Sequence, residues 1–135
     1  CNLYLLDKSV IEENKRFNGF GNVNSMGFYG NLSAAKELLI LNDVPVNNIN
    51  LIEPEQLNLI KNKLDLVISL LSWCHHYPYN TYSELVYQKL NKNGKIIIDC
   101  RTEEYKNLIN DNRYSWEIIK TKRPHSGFIM LGKKL

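Results

Sequence analysis

Several polar and aromatic side chains follow an apolar run in the middle of this sequence. The run is LDLVISLLSW, and the segment continues as CHHYP over residues 64–78. Central strands of a parallel sheet read as continuous apolar runs, and functional groups collect beyond their carboxyl ends. The pattern therefore favours an active site, although the same side chains would also serve to cover the edge of a sheet. The polar and aromatic residues are Ser69, Ser72, Trp73, Cys74, His75 and His76.

The thiol and the two imidazoles of this segment do not form a metal-binding pattern. Cys74, His75 and His76 are consecutive, and neighbouring residues on an extended segment point in opposite directions. Structural zinc sites space their ligands two or more residues apart. We predict no metal site.

Composition sets the class of protein. The chain has 135 residues, 44% hydrophobic and 23% charged, which is typical of one soluble globular domain. It contains no apolar run near the roughly 20 residues that span a bilayer, and no signal peptide is recognisable. The net charge of +3 is scattered, and the group Lys120, Lys122 and Arg123 is too small to indicate nucleic-acid binding. We therefore expect neither a membrane nor a nucleic acid as a partner.

The three cysteines indicate a reduced, cytoplasmic protein. Cys1, Cys74 and Cys100 are an odd number at wide spacing and form no CxxC motif. Cys100 lies in an apolar strand pattern and is predicted to be a small buried hydrophobe, while Cys74 is close to the candidate site.

Strand and helix patterns alternate along the chain. A loop rich in glycine, asparagine and aromatic residues covers residues 11–31 and is long enough to be a lid. TYSE at residues 81–84 is a capping-box pattern that predicts a helix ending at Asn93 and Gly94. The last two strands form an antiparallel hairpin. Strands are predicted at residues 3–7, 49–52, 64–71, 95–101, 116–122 and 127–134, and helices or turns at 31–42, 54–61, 81–93 and 103–109.

This order predicts an α/β fold with a mostly parallel sheet and an antiparallel hairpin at its edge. Crossovers between parallel strands are right-handed, so polar groups at the carboxyl ends of the strands lie along one edge. We expect Asp7, Glu53, residues 69–76 and Asp99 to face one crevice.

Four segments resemble the class I S-adenosylmethionine-dependent methyltransferases, from the second strand of that family to its end. They are LYLLDKS, INLIEPEQL, LDLVISLLSW and YSELVYQKLNKNGKIIID, the last being the strongest match. The resemblance implies a Rossmann-like three-layer sandwich that binds S-adenosyl-L-methionine. It also implies cofactor-binding residues at the strand ends, with Glu55 as a second choice for Glu53. Those residues are Asp7 at the ribose hydroxyls with the adjoining Lys8, Glu53 near the adenine, and Ser69 and Leu70 near the methionine moiety.

SLLSWCHHYP, DCR and GFGNVNSMGFYGN resemble, more narrowly, a group of bacterial sugar O-methyltransferases. This resemblance implies methyl transfer to the hydroxyl of a small molecule, such as a sugar. A base is then needed, and His76 is the first choice with His75 as the alternative, since an imidazole accepts a proton at neutral pH. The remaining roles are Asp99 to orient the histidine or accept a substrate hydroxyl, Arg101 to bind an acidic sugar or phosphate, and Trp73 and Tyr77 to stack on a sugar face.

One part of the family pattern has no counterpart in this sequence. The first strand and its glycine-rich turn are missing, and GNVNSMG at residues 21–27 lies after the acidic strand instead of before it. We expect a truncated chain, lacking a strand between those of Asp7 and Leu64, that by itself binds the cofactor weakly if at all and is inactive.

Other functions and simpler roles remain open. A nicotinamide-dependent oxidoreductase also has an acidic residue after its second strand, although the final hairpin argues against it. A catalytically silent methyltransferase-like binding domain would explain the missing glycine turn. Asp7 could cap a helix, Arg101 could form an ion pair, and Trp73 could pack in the core. The sequence does not determine the oligomeric state, and a homo-oligomer stays open.

Overall fold

A computed structural model describes residues 1–7, 32–70, 72–75, 77–121 and 127–135. The chain divides into two compact units, Cys1–Lys61 and Asn62–Leu135. Each unit has its own sheet in the described residues. The predicted loop at residues 11–31 lies outside them.

The first unit contains two parallel strands and one helix. Strand β1, Leu3–Leu6, pairs in parallel with β2, Ile49–Ile52, and helix α1 covers Leu32–Leu41. The helix ends where Asp43 takes a left-handed backbone conformation, with φ of 63°, and Pro45 then prevents its continuation. All three elements agree with the sequence-based prediction. Short 3₁₀ turns cover Val46–Asn48 and Pro54–Leu59.

The second unit is built on a four-stranded sheet. Strands β3, Leu64–Ser69, and β4, Leu90–Cys100, are parallel. Strands β5, Tyr114–Thr121, and β6, Phe128–Lys134, form the predicted antiparallel hairpin. Strand β6 lies between β4 and β5, so the order is β3-β4-β6-β5. Helix α2 covers Ser83–Lys89, helix α3 covers Thr102–Ile109, and a 3₁₀ turn covers Tyr79–Thr81.

Alternate residues of β4 form the core of this unit. Ile96, Ile98 and Cys100 are fully buried, together with Leu108 of α3 and Met130 of β6. Successive side chains of a strand point to opposite faces, so these three β4 residues share one face of the sheet. Burying an aliphatic side chain of this size stabilises a fold by about 1.5–3 kcal/mol. The prediction that Cys100 is a small buried hydrophobe is confirmed.

The helix before β4 is shorter than its sequence predicts. Helix α2 ends at Lys89, and Asn93 and Gly94 lie inside β4 at an irregularity in its pairing with β3. Asn93 has a φ of 63°, a left-handed conformation that is common at helix ends. Here this conformation occurs at a β-bulge instead.

The predicted capping box at residues 81–84 is wrong. Thr81 lies in the preceding 3₁₀ turn, and Tyr82 occupies the cap position without a side-chain hydrogen bond. Glu84 accepts hydrogen bonds from Gln88 Nε2 at 2.9 Å and from Arg113 Nη1 at 2.7 Å. A charge-assisted contact with another element has replaced the local cap.

The described residues thus form a mixed α/β fold. Two strand pairs are parallel and two are antiparallel among the described strands. None of the helices described is long and apolar enough to cross a membrane.

Candidate active site

The carboxyl ends of β3 and β4 form the polar edge of the second unit. Ser69 is opposite Ile98 in the parallel register, which brings the end of β3 next to Asp99. Ser69 Oγ accepts a hydrogen bond from the backbone N–H of Trp73 at 3.0 Å. This bond ties the segment after β3 back onto the strand that precedes it.

A tight turn follows Ser69. Cys74 has a φ of 68°, and its N–H donates to the carbonyl of Tyr77 at 2.8 Å. The N–H groups of His75 and Tyr77 both donate to the carbonyl of Ser72, at 3.0 and 3.3 Å. A left-handed conformation is uncommon for a residue other than glycine, so the turn is a locally strained feature at a strand end.

This turn places His75 between Asp99 and Arg101. His75 Nε2 lies 3.1 Å from Asp99 Oδ1, within ion-pair distance but outside the alignment of a hydrogen bond. His75 Nδ1 accepts a hydrogen bond from Arg101 Nε at 3.1 Å. The side chains of His75 and Asp99 are 10% and 3% exposed, whereas Arg101 is exposed. A buried carboxylate, a nearly buried imidazole and a surface guanidinium therefore form a chain from the core to the surface.

The contacts of His75 define its chemistry. An arginine nitrogen only donates, so Nδ1 is the acceptor and a neutral imidazole carries its proton on Nε2, facing Asp99. Nδ1 is hydrogen-bonded to Arg101, whereas Nε2 lies beside Asp99 without an aligned hydrogen bond. The lone pair of this imidazole is therefore directed to Arg101 and is not open to a substrate, and the orienting role predicted for Asp99 stays a prediction.

Two thiols lie beneath this chain of polar groups. Cys74 and Cys100 are both buried and free. A hydrogen bond with Cys100, together with burial, raises the pKa of the Cys74 thiol well above its usual range. Cys100 Sγ also donates to the carbonyl of Arg101 at 3.3 Å. A thiol with a raised pKa stays protonated and is a poor nucleophile, so Cys74 has a structural role.

Trp73 is part of the core. It is 3% exposed, its ring stacks on Tyr79 with centroids 5.4 Å apart, and its Nε1 donates to the Tyr79 carbonyl at 2.7 Å. This corrects the substrate-stacking role predicted for it, because the indole has no open face. Tyr77 is 39% exposed and contacts only the edge of Tyr82 among the described rings, so its predicted role stays open.

A hydrogen-bonded cluster around Asp111 was not predicted. Asp111 accepts from Tyr79 Oη at 2.7 Å and from Arg113 Nε and Nη2 at 2.8 and 2.7 Å. Arg113 also binds Glu84 at 2.7 Å and lies over the ring of Tyr87. The sequence signal for this cluster is the DNR turn, which places Asp111 and Arg113 two residues apart. The other members of the cluster come from distant segments, so this signal does not predict them.

The first unit has its own pair of acidic residues at strand ends. Asp7 follows β1 and Glu53 follows β2, and the N–H of Asp7 donates to the carbonyl of Ile52 at 3.3 Å. Asp7 is exposed, as a ligand-binding carboxylate must be. Glu53 begins a 3₁₀ turn, where its N–H donates to Gln56 Oε1 at 3.1 Å. Glu53 thus has a local structural role, and Glu55 is exposed in the next turn.

The other predicted site residues are less informative. Leu70 is exposed directly after β3. Lys8, Leu71 and His76 lie outside the described residues, so the first-choice base is not placed. Within the ranges that the structure describes, no three His, Cys, Asp or Glu side chains are grouped to hold a metal ion.

Comparison with known proteins gives one structural relative. No protein-family model and no curated protein matches the chain. A solved structure described as an rRNA methylase from Streptococcus thermophilus matches 78% of this chain and 69% of its own, with a TM-score of 0.52 and 18% identity. The chain shares the fold of a methylase. At this identity the likeness concerns the fold alone.

This finding supports the predicted methyltransferase-type α/β fold and corrects the predicted partners. The sequence favoured a small-molecule acceptor, such as a sugar, and no nucleic acid. That prediction is wrong, because the solved structure that shares the fold is an rRNA methylase. The narrower resemblance to sugar O-methyltransferases receives no support.

Proposed function

We propose that this chain belongs to an S-adenosylmethionine-dependent methyltransferase that acts on RNA. The observation that carries the proposal is the fold shared with an rRNA methylase. The strand order β3-β4-β6-β5, in which an antiparallel strand is inserted next to the last parallel one, agrees with it. A nicotinamide-binding doubly wound sheet is instead parallel in its classic form.

Asp7 is the residue proposed to hold the ribose of the cofactor. A carboxylate accepts two hydroxyl hydrogen bonds at once, and Asp7 is exposed at the end of a parallel strand, where ligands of α/β sheets bind. Glu53 follows the neighbouring strand and is proposed near the adenine. When bound, the cofactor supplies an electrophilic methyl group on a sulfonium.

Residues of the second unit are proposed to position the acceptor. Ser69 and Leu70 end β3, and Asp99 with His75 forms a fixed polar group at the end of the neighbouring strand β4. The lone pair of His75 accepts a hydrogen bond from Arg101, so His75 is proposed as a positioning residue. His76 stays the predicted base. A cytoplasmic location is part of the proposal and agrees with three free cysteines.

The proposal is tested by methyl transfer and cofactor binding with the same chain. S-adenosylmethionine carrying a labelled methyl group should transfer label to RNA, and calorimetry should detect binding of S-adenosylhomocysteine. Asp7→Asn should weaken that binding about tenfold, because one oxygen of a charged acceptor pair is replaced by a donor.

Asp43→Asn is the matched control in the same unit. Asp43 is exposed at the end of α1, and its left-handed conformation suits asparagine. Cofactor affinity should be unchanged in this variant. An absence of cofactor binding would favour a silent binding domain, and label transfer to small molecules but not to RNA would overturn the acceptor.

A further inference from the structure

Arg101, at the surface end of the polar chain, has guanidinium donors that are not used by its contact with His75. Arg101 uses Nε to donate to His75, which leaves Nη1 and Nη2 without a partner in the part of the chain that the structure describes. The guanidinium is planar, so those two nitrogens present their N–H donors in one plane. Such a set matches the oxygens of a phosphate in bidentate geometry.

The backbone of Arg101 is fixed as firmly as its side chain. Its carbonyl accepts from the N–H groups of Glu104 and Tyr105, both at 3.1 Å, so Arg101 begins helix α3. Gly127 packs directly against it, since a Cβ on that glycine would lie 3.2 Å from the Arg101 Cα. An exposed arginine normally loses much side-chain freedom when it binds a ligand, and this one is already ordered.

The nearby acidic groups leave room for an anion. Asp99 is buried against His75. Glu104 Oε2 accepts from the N–H of Tyr79 at 3.0 Å and from Asn107 at 3.2 Å, so its charge is directed toward the turn after Pro78. Glu103 is the exposed carboxylate that remains in the first turn of α3.

We infer that Arg101, oriented by His75 and Asp99, binds a backbone phosphate of the RNA acceptor beside the carboxyl ends of β3 and β4. The inference rests on the proposed function and adds its recognition residue. Arg101 is a substrate-binding residue, and His75 is a positioning residue that acts through it. A phosphate contact holds an RNA strand in register without reading its sequence.

The test measures the affinity of the full chain for a short single-stranded RNA oligonucleotide. Arg101→Gln should weaken binding about tenfold, whereas Lys106→Gln, which removes the same charge from exposed helix α3, should change it less than about twofold. Arg101→Lys keeps the charge but loses the fork geometry, so its affinity should be intermediate. An oligonucleotide with uncharged methylphosphonate linkages should bind the wild type and Arg101→Gln equally weakly.

A double-mutant cycle tests the role of His75. His75→Ala should weaken RNA binding in the wild type but have little further effect in Arg101→Gln, because the histidine acts through the arginine. A purely structural role would give the same loss in both backgrounds. If His75→Ala does not fold, Arg101→Lys still breaks the contact with the histidine and keeps the inference testable.

The other outcomes each decide a separate question. If the wild type binds RNA and Arg101→Gln binds it equally well, the inference is overturned but the proposed function is not. A loss of S-adenosylhomocysteine binding in Arg101→Gln assigns the arginine to the cofactor and overturns the inference. Inorganic phosphate that binds as tightly as RNA makes this a free-anion site and also overturns it. An absence of RNA binding by the wild type overturns both proposals.

Discussion

Asp111 shows how a single charged residue organises the second unit. Its carboxylate is 7% exposed and accepts from Tyr79 and from two nitrogens of Arg113. The hydrogen bonds of Arg113 hold the pKa of Asp111 below its usual range, against the opposing effect of burial. Burial and the hydrogen bond to Asp111 raise the pKa of Tyr79 well above its usual range. The cluster therefore joins the segment after Pro78 to the start of β5.

Asp111→Asn should lower the free energy of unfolding by about 2 kcal/mol near neutral pH, since one charge-assisted bond is lost. The folded pKa of Asp111 lies below the unfolded value of about 3.9. The contribution of Asp111 to the free energy of unfolding is therefore complete above its unfolded pKa and is lost as the pH falls through its folded pKa. Urea unfolding followed by tryptophan fluorescence should show a smaller difference between variant and wild type at about pH 3 than at about pH 7.

Glu103→Gln is the control for this prediction. Glu103 is an exposed carboxylate in the first turn of α3, and its replacement should change stability by less than about 0.5 kcal/mol at either pH. An Asp111→Asn effect of the same size at both pH values would contradict the assignment of a lowered pKa.

At the scale of elements, the junction between β4 and β6 depends on close backbone approach. Gly127 precedes β6 with a φ of 121°, and a Cβ at this position would lie 2.1 Å from the carbonyl oxygen of Cys100. Gly132 lies opposite Ile96, and a Cβ there would lie 2.5 Å from the ring of Trp116. At Gly127, a Cβ would meet backbone atoms, and the φ angle is one that other residues rarely adopt. At Gly132, a Cβ would meet the far end of the half-buried Trp116 side chain.

These two glycines make a matched pair of substitutions. Gly127→Ala should destabilise the protein by about 3 kcal/mol, because it combines strain at a positive φ with a backbone clash. Gly132→Ala should cost about 1 kcal/mol, since the indole ring can shift. Thermal unfolding measures both. An equal cost at the two positions would show that side-chain crowding, and not backbone approach, limits this junction.

The whole molecule carries a net charge of +3, which is a weak field for the proposed binding of RNA. Among the described residues, Arg113 and Lys134 lie together over the ring of Tyr87. The proposed RNA binding therefore depends on a few placed contacts, of which Arg101 is the one proposed.

Salt dependence provides the corresponding prediction. With about three phosphate contacts, the logarithm of RNA affinity should fall with the logarithm of salt concentration with a slope of about −2, since each contact to a single strand contributes about −0.7. The measurement is a titration at several salt concentrations, with the uncharged oligonucleotide as the control. Affinity that does not change with salt would contradict binding through phosphates.

Much of the secondary structure could be predicted from local patterns. The strands at Leu3–Leu6, Ile49–Ile52 and Phe128–Lys134 were recognisable as apolar runs between turn residues. Helix α2 was predicted too long, because Asn93 and Gly94 are typical of a helix end as well as of a bulge. The capping box failed because Glu84 found a stronger partner in Arg113. Local rules hold where no distant charge competes.

The candidate site was predicted in part, and its partners depended on contacts that sequence patterns do not contain. His75, Asp99 and Arg101 were all identified from the sequence, with His75 as the second-choice base. The structure brings the three together, and the hydrogen bond from Arg101 to the imidazole is the reason His75 is proposed as a positioning residue instead of a base. Trp73 was a candidate for substrate stacking, and Tyr79 covers it.

The sequence by itself determined the alternation of strands and helices, the polar strand ends and the resemblance to a methyltransferase, because periodicity and turn chemistry act over a few residues. Tertiary structure decided which polar side chains meet, and it gave the chain a fold shared with an rRNA methylase, on which the proposed RNA acceptor rests. The reason is that hydrogen bonds between distant segments form only when the sheet and its turns have set their geometry. Those from Arg101 to His75 and from Tyr79 to Asp111 join residues 26 and 32 positions apart.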